Sequence, residues 1–143
     1  MLREQEKTFI RENCSGVLST FRRNGAVQLS IVSVGVFKGG VAFSTVLGRS
    51  KVFNLNRNPC CSLLISANDW SSYIVLEGQA NILSSVNTSP NELKESLRKV
   101  YREILGEHPN WDEYDRAMIK DERVVVVVKP LHVYGTLRRY PAL

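Results

Sequence analysis

Apolar and polar positions alternate with a period of two along much of this chain and change to a helical spacing in a few stretches, which predicts strands interrupted by short helices. Residues 3–12 place Phe9 and Ile10 among charges and predict a short amphipathic helix. Residues 16–21 read as a strand, Asn24-Gly25 supplies the positive φ angles of a tight hairpin turn, and residues 26–37 read as one long returning strand. Lys38-Gly39-Gly40 makes a second turn, and 41–44 is a third strand leading into a short helix. Asn58-Pro59 punctuates before a strand at 60–66, a loop at 67–71 and a long strand at 72–83. In that strand Ile74, Leu76, Gly78, Ala80 and Ile82 alternate with mostly polar neighbours. Ser89 is a helix N-cap with Pro90 at the first helical position, the helix running to about Leu105 before Gly106. A further helix is predicted at 111–120, with Asp112, Glu113 and Asp115 read as stabilisers of its positive end. The β-branched run 124–128 predicts a strand buried on both faces or paired across an interface. Pro130 then calls for an edge or a bulge before a last strand at 131–137. The expected architecture is α+β, mainly β: a small antiparallel barrel of six or seven strands with two or three helical covers, in one domain over residues 1–143.

The segment 43–59 is the most informative for chemistry, because its helix opens with two cations, Arg49 and Lys51. Unpaired N–H groups and the helix dipole make a carboxylate favourable at that end by about 0.3–1 kcal/mol and a cation unfavourable. An anion held between the N–H groups and the two side chains reverses the conflict, which is how phosphates are bound at helix starts. Ser44, Thr45 and Ser50 add hydroxyls. The competing reading is that Arg49 and Lys51 are ordinary surface charges on a loop.

A net charge of +5 favours anionic partners, yet the 19 basic residues are scattered, with Arg22-Arg23 and Arg138-Arg139 the adjacent pairs, so no nucleic-acid-binding stripe is formed. No apolar run is long enough to span a bilayer and residues 1–7 lack a signal-peptide core, which predicts a cytoplasmic protein that does not enter membranes. Cys14, Cys60 and Cys61 lack metal or redox spacing and read as packing residues. His108 and His132 have no partners at metal-ligand spacing and read as plain surface or core residues, so no metal is expected. Rossmann and P-loop glycine motifs are absent, and no nucleophile or acid–base pair is suggested, so no catalytic side chain is assigned. If the chain is an enzyme, a cofactor carries the reaction.

Several of these segments together resemble the split β-barrel flavin and deazaflavin oxidoreductases related to pyridoxamine 5′-phosphate oxidase. The likeness is carried by Gly16-Val17-Leu18-Ser19-Thr20 with Asn24-Gly25, by Phe43-Ser44-Thr45 with Gly48-Arg49-Ser50-Lys51-Val52-x-Asn54-Leu55 and Asn58-Pro59, by Val75 to Ala80, and by the strand that ends at Pro130 with Val133-Tyr134-Gly135. It is nearest the branch described as coenzyme F420-dependent enzymes, and the oxidase's C-terminal substrate-binding extension is not seen. The resemblance implies an FMN-binding-like split β-barrel in which Arg49 and Lys51 hold the cofactor phosphate, Ser44 and Thr45 contribute hydroxyls and Asn54 supports the turn. Gln28, Ser30 and Val32 would lie along the ring, and Trp70 and Tyr73 would reach it from the other subunit of a homodimer. Ile31 departs from the proline often found beside the ring. The implied activity is hydride transfer between coenzyme F420 and a small unsaturated or conjugated substrate. The alternatives are an FMN-binding oxidase-like flavoprotein, or a non-catalytic flavin or haem binder. Arg57 and Arg138-Arg139 are possible contacts for the acidic tail of F420.

Overall fold

In a computed structural model, which describes residues 1–137, seven strands and four helices follow in the order α1 (Glu4–Glu12), β1 (Ser15–Phe21), β2 (Val27–Ser33), β3 (Gly35–Phe37), β4 (Gly40–Val46), α2 (Ser50–Arg57), β5 (Cys60–Ser66), β6 (Tyr73–Leu83), α3 (Pro90–Leu105), α4 (Trp111–Lys120) and β7 (Arg123–Thr136). Arg138 and Arg139 lie outside the described residues. The strands form one antiparallel sheet in the order β2-β1-β5-β6-β7-β4-β3, curled so that β2 returns against β4. This is the split half-barrel expected, with four helices rather than two or three.

The period-2 pattern sorts the side chains onto two faces. Leu18, Phe43, Leu63, Ile65, Leu76 and Val126 fill the concave interior, which α2 closes with Val52 and Leu55. On the convex face of β3, β4 and β7, Phe37, Ala42, Val125 and Val127 pack beneath Leu97 and Val100 of α3 and Tyr114 of α4. The valine run is therefore buried on both faces within one chain, because β7 is central and covered from either side. Both covering helices begin at side-chain caps: Ser89 Oγ accepts from the Glu92 N–H at 3.2 Å and Asn110 Oδ1 from the Glu113 N–H at 3.1 Å. Asp115 does more than favour a helix dipole. It accepts from Arg98 Nε at 3.0 Å and so ties α4 to α3, an ion pair that holds the Asp115 carboxyl below its ordinary range.

Two strand expectations are corrected. The single strand at 26–37 divides at Val34, whose N–H donates to the Cys14 carbonyl at 2.7 Å, so β2 pairs with β1 while β3 pairs with β4 at the other end of the sheet. The strands at 124–128 and 131–137 are one continuous β7, running through Pro130 by a register shift opposite Glu77 and Gly78 that leaves Leu131 as the extra residue. A Cβ at position 78 would collide with the Lys129 carbonyl oxygen, so the bulge requires glycine there. The cysteines separate as well. Cys61 packs in the core, whereas Cys60 points to the opposite face and is exposed, contrary to a packing role.

Candidate functional site

Strand β4 delivers the site. Val41 and Phe43 point into the interior and Ala42 beneath α3 and α4, so Ser44 shares the helix-covered face with Ala42 while Thr45 follows Phe43. The strand ends at Val46, whose carbonyl accepts from the Arg49 N–H at 3.1 Å, and α2 starts at Ser50, directly after Arg49, where Val52 and Leu55 can bury against the interior. Arg49 is the N-cap residue in an extended conformation, its side chain caps nothing, and the first turn holds no acid. The two cations thus stand at a helix start that no acidic side chain among the described residues neutralises. Half-buried Lys51 has its pKa lowered from the ordinary lysine value, first by desolvation and then by the neighbouring Arg49 charge.

These groups open into a cavity of about 960 Å³ between β4, the end of β2, the start of α2 and the paired helices α3 and α4. It brings together Val32, Ser44, Thr45, Arg49 and Lys51 of the residues expected from sequence. Ser44 Oγ is buried and has no hydrogen-bond partner. A buried hydroxyl of this kind is costly unless a ligand or water satisfies it.

Other expected residues lie off this wall. Buried Asn54 donates through Nδ2 to Thr20 Oγ1 at 3.1 Å and Gln28 Oε1 at 2.8 Å, while Arg57 donates to Asn54 Oδ1 at 2.8 Å and to the Phe21 carbonyl at 3.0 Å. Asn54 therefore pins α2 to β1 and β2, and Arg57 is engaged in the same network. Gln28 and Ser30 are half-buried on the same face of β2 as Val32. Trp70 is 73% exposed with a φ of 63°, in the loop before β6, and Tyr73 opens that strand; neither lines the cavity.

The helical wall was not foreseen. Tyr101, His108 and Tyr114 line the cavity and contact one another, with Tyr101 centroids 5.1 Å from those of His108 and Tyr114. His108 is half-buried, and its Nδ1 accepts from the Asn110 N–H at 2.9 Å. Burial pushes the Tyr114 hydroxyl up to about 12, and it donates to the Leu97 carbonyl at 2.9 Å. Arg123, opposite Val46 in the β4–β7 register, completes the wall, and its Nε is buried without a partner. The one signal for it in the sequence is a charge directly before five valines.

Among the described residues no three His, Cys, Asp or Glu side chains converge as metal ligands, and no helix is long and apolar enough to cross a membrane. Solved structures of similar fold include conserved hypothetical protein Rv2991 from Mycobacterium tuberculosis, at TM-score 0.76 and 22% identity over 94% of this chain and 84% of that one. An F420 reductase aligns at TM-score 0.69 and 18% identity over 93% of this chain and 98% of its own. A pyridoxamine 5′-phosphate oxidase-related, FMN-binding protein from Nostoc punctiforme PCC 73102 aligns at TM-score 0.67 and 12% identity, covering 94% and 85%. The sequence profile of the pyridoxamine 5′-phosphate oxidase family matches residues 2–137, so the chain belongs to that family.

Proposed function

We propose that the cavity holds the deazaflavin coenzyme F420 and that the protein is an oxidoreductase acting on a small unsaturated or conjugated substrate, as a cytoplasmic homodimer. The observation that carries this reading is the pair of cations, Arg49 and Lys51, at the start of α2, where no side chain caps the helix and the first turn holds no acid. Those groups suit a phosphate, since the helix N–H groups, the dipole and both side chains act on one anion. Thr45 supplies a hydroxyl next to them. Gln28, Ser30 and Val32 on one face of β2 would support the ring, and Trp70 and Tyr73, which do not reach the cavity of their own chain, would serve the partner's site.

When bound, the cofactor supplies the hydride chemistry, and the protein's part is to orient it and keep water out. Asn54 positions the start of α2 through Thr20 and Gln28, and Val32 gives the cavity an apolar floor at β2. No side chain is assigned a proton-transfer role.

Replacing Arg49 and Lys51 together by alanine tests the phosphate assignment. Each charge-assisted hydrogen bond contributes about 1.5–3 kcal/mol, so the double variant is expected to lose about a hundredfold or more in affinity while remaining folded. Unchanged affinity would sink the assignment. FMN is the second reading, favoured by the same two cations, and paired fluorescence titrations at low and high salt decide between the cofactors. The oligoglutamate tail of F420 should add a modest, salt-sensitive preference, because exposed ion pairs are individually weak. Tighter binding of FMN at both salt concentrations would replace F420 in this proposal.

A further inference from the structure

We propose that Arg123 and Ser44 form a second anion subsite in this cavity, one that takes the carboxylate of a planar aromatic or conjugated substrate; it rests on the cofactor reading only for the reaction such a substrate would undergo. The β4–β7 register sets Ser44 opposite Val125 and Val46 opposite Arg123, so Ser44 and Arg123 are diagonal neighbours on the helix-covered face of two adjacent strands. Among the described residues, Ser44 Oγ and Arg123 Nε are the buried side-chain polar atoms left without a hydrogen bond, and both line the same cavity. Two unsatisfied donors on one wall point to a ligand that brings acceptors.

The contrast with the other arginines sharpens the point. Arg98 is paired with Asp115, Arg102 with Glu107, Arg11 with Glu103 and Arg3 with Glu6, and Arg22, Arg23, Arg49, Arg57 and Arg116, which pair with no acid, are exposed to water, whereas Arg123 is half-buried with no acid partner among the described residues. A guanidinium taken partly out of water is stabilised by a bidentate carboxylate more than by any neutral group. Phosphate recognition does not need it, because Arg49 and Lys51 already face an anion from α2; this assigns Ser44 to the substrate and leaves Thr45 to the phosphate. The wall beside Arg123 sets the shape of the ligand. Tyr101, His108 and Tyr114 hold one another edge-on or tilted, and the Tyr114 proton is committed to the Leu97 carbonyl, so that wall offers ring surface for a flat molecule. Exposed Glu113 on the same cavity disfavours a second negative charge on the ligand.

Benzoate, an unreactive aromatic carboxylate, is the probe, titrated calorimetrically into the wild-type chain and into Arg123→Gln, Arg123→Lys and Ser44→Ala, each with FMN and F420 affinities measured alongside. The expectation is that benzoate binds the wild type with or without cofactor, weakens about tenfold or more in Arg123→Gln, recovers in part in Arg123→Lys and weakens several-fold in Ser44→Ala, with cofactor affinities unchanged. Loss of cofactor affinity in step with benzoate would assign Arg123 to the cofactor and overturn the subsite. So would a wild type that takes no benzoate, or variants that bind it equally well. If Arg123→Gln fails to fold, Ser44→Ala decides by the same criteria. A wild type that binds benzoate but neither cofactor overturns the cofactor reading and leaves the subsite standing.

Discussion

Lys51 carries a charge that its surroundings penalise. Desolvation and the Arg49 charge both disfavour its protonated form, so its pKa in the folded chain lies below the ordinary 10.5. Between that lowered value and 10.5 the unfolded chain binds more protons, so stability of the ligand-free protein should rise with pH across the window as the cost of the Lys51 charge disappears. Anion binding has the opposite dependence, because it needs the charged form. Cofactor affinity is therefore expected to decline at a lower pH than an unperturbed lysine would allow, and Lys51→Arg should move the decline out of the measurable range. Titrations from about pH 7 to 10.5 check this, and a flat affinity profile for the wild type would count against a charge role. Cys61 gives a second residue-scale expectation. Burial, then the adjacent Cys60, pushes its thiol up to about 11, so a thiol reagent at neutral pH should label exposed Cys60 rapidly and Cys61 only on unfolding.

Most individual elements were legible because each is written locally. The Ser89-Pro90 cap, Asn58-Pro59 and the alternation in β6 mark boundaries that need no knowledge of the rest of the chain. What was not legible depends on partners distant in sequence. Nothing local separates β2 from β3, since the split at Val34 follows from pairing with β1 at one end and β4 at the other. Likewise Arg49 and Lys51 announce themselves as cations at a helix start, whereas Tyr101, His108 and Arg123 become site residues only when α3, α4 and β7 meet β4. Gly35 marks one such meeting. A Cβ there would lie 2.7 Å from Glu103 Cβ, so α3 packs on β3 through the absence of a side chain. Gly35→Ala is expected to push α3 outward, costing about 1–3 kcal/mol by overpacking and weakening benzoate or cofactor binding through the displaced wall. Denaturant unfolding and ligand titration of the variant measure both, and an unchanged midpoint would show that α3 shifts freely.

At the scale of the whole molecule, the sheet is covered unequally. Helices α3 and α4 bury the convex face of β3, β4 and β7, but the outward residues of edge strand β2 stay in water, with Ile31 82% exposed, Leu29 66% and Val27 49%. Among the described residues β2 pairs with β1 alone, so three apolar side chains stand together at an open sheet edge, the arrangement that soluble monomers avoid. Ile31 also borders the cavity, so a second copy packed on this face would both bury the apolar row and close the site. A two-fold contact is the commonest way to cover such a surface, with about 800 Å² per partner needed for a stable pair. We therefore expect the wild type to be dimeric at micromolar concentration and Ile31→Lys, which changes no residue assigned to the phosphate, to shift it to monomer. Cofactor affinity should fall in the same variant although Arg49 and Lys51 are untouched, because Trp70 and Tyr73 would no longer be supplied from the partner. Light scattering combined with cofactor titration separates the possibilities. A monomeric wild type with full affinity would remove the dimer from the proposed function, while a monomeric Ile31→Lys that still binds tightly would keep the dimer and place the whole cofactor site within one chain.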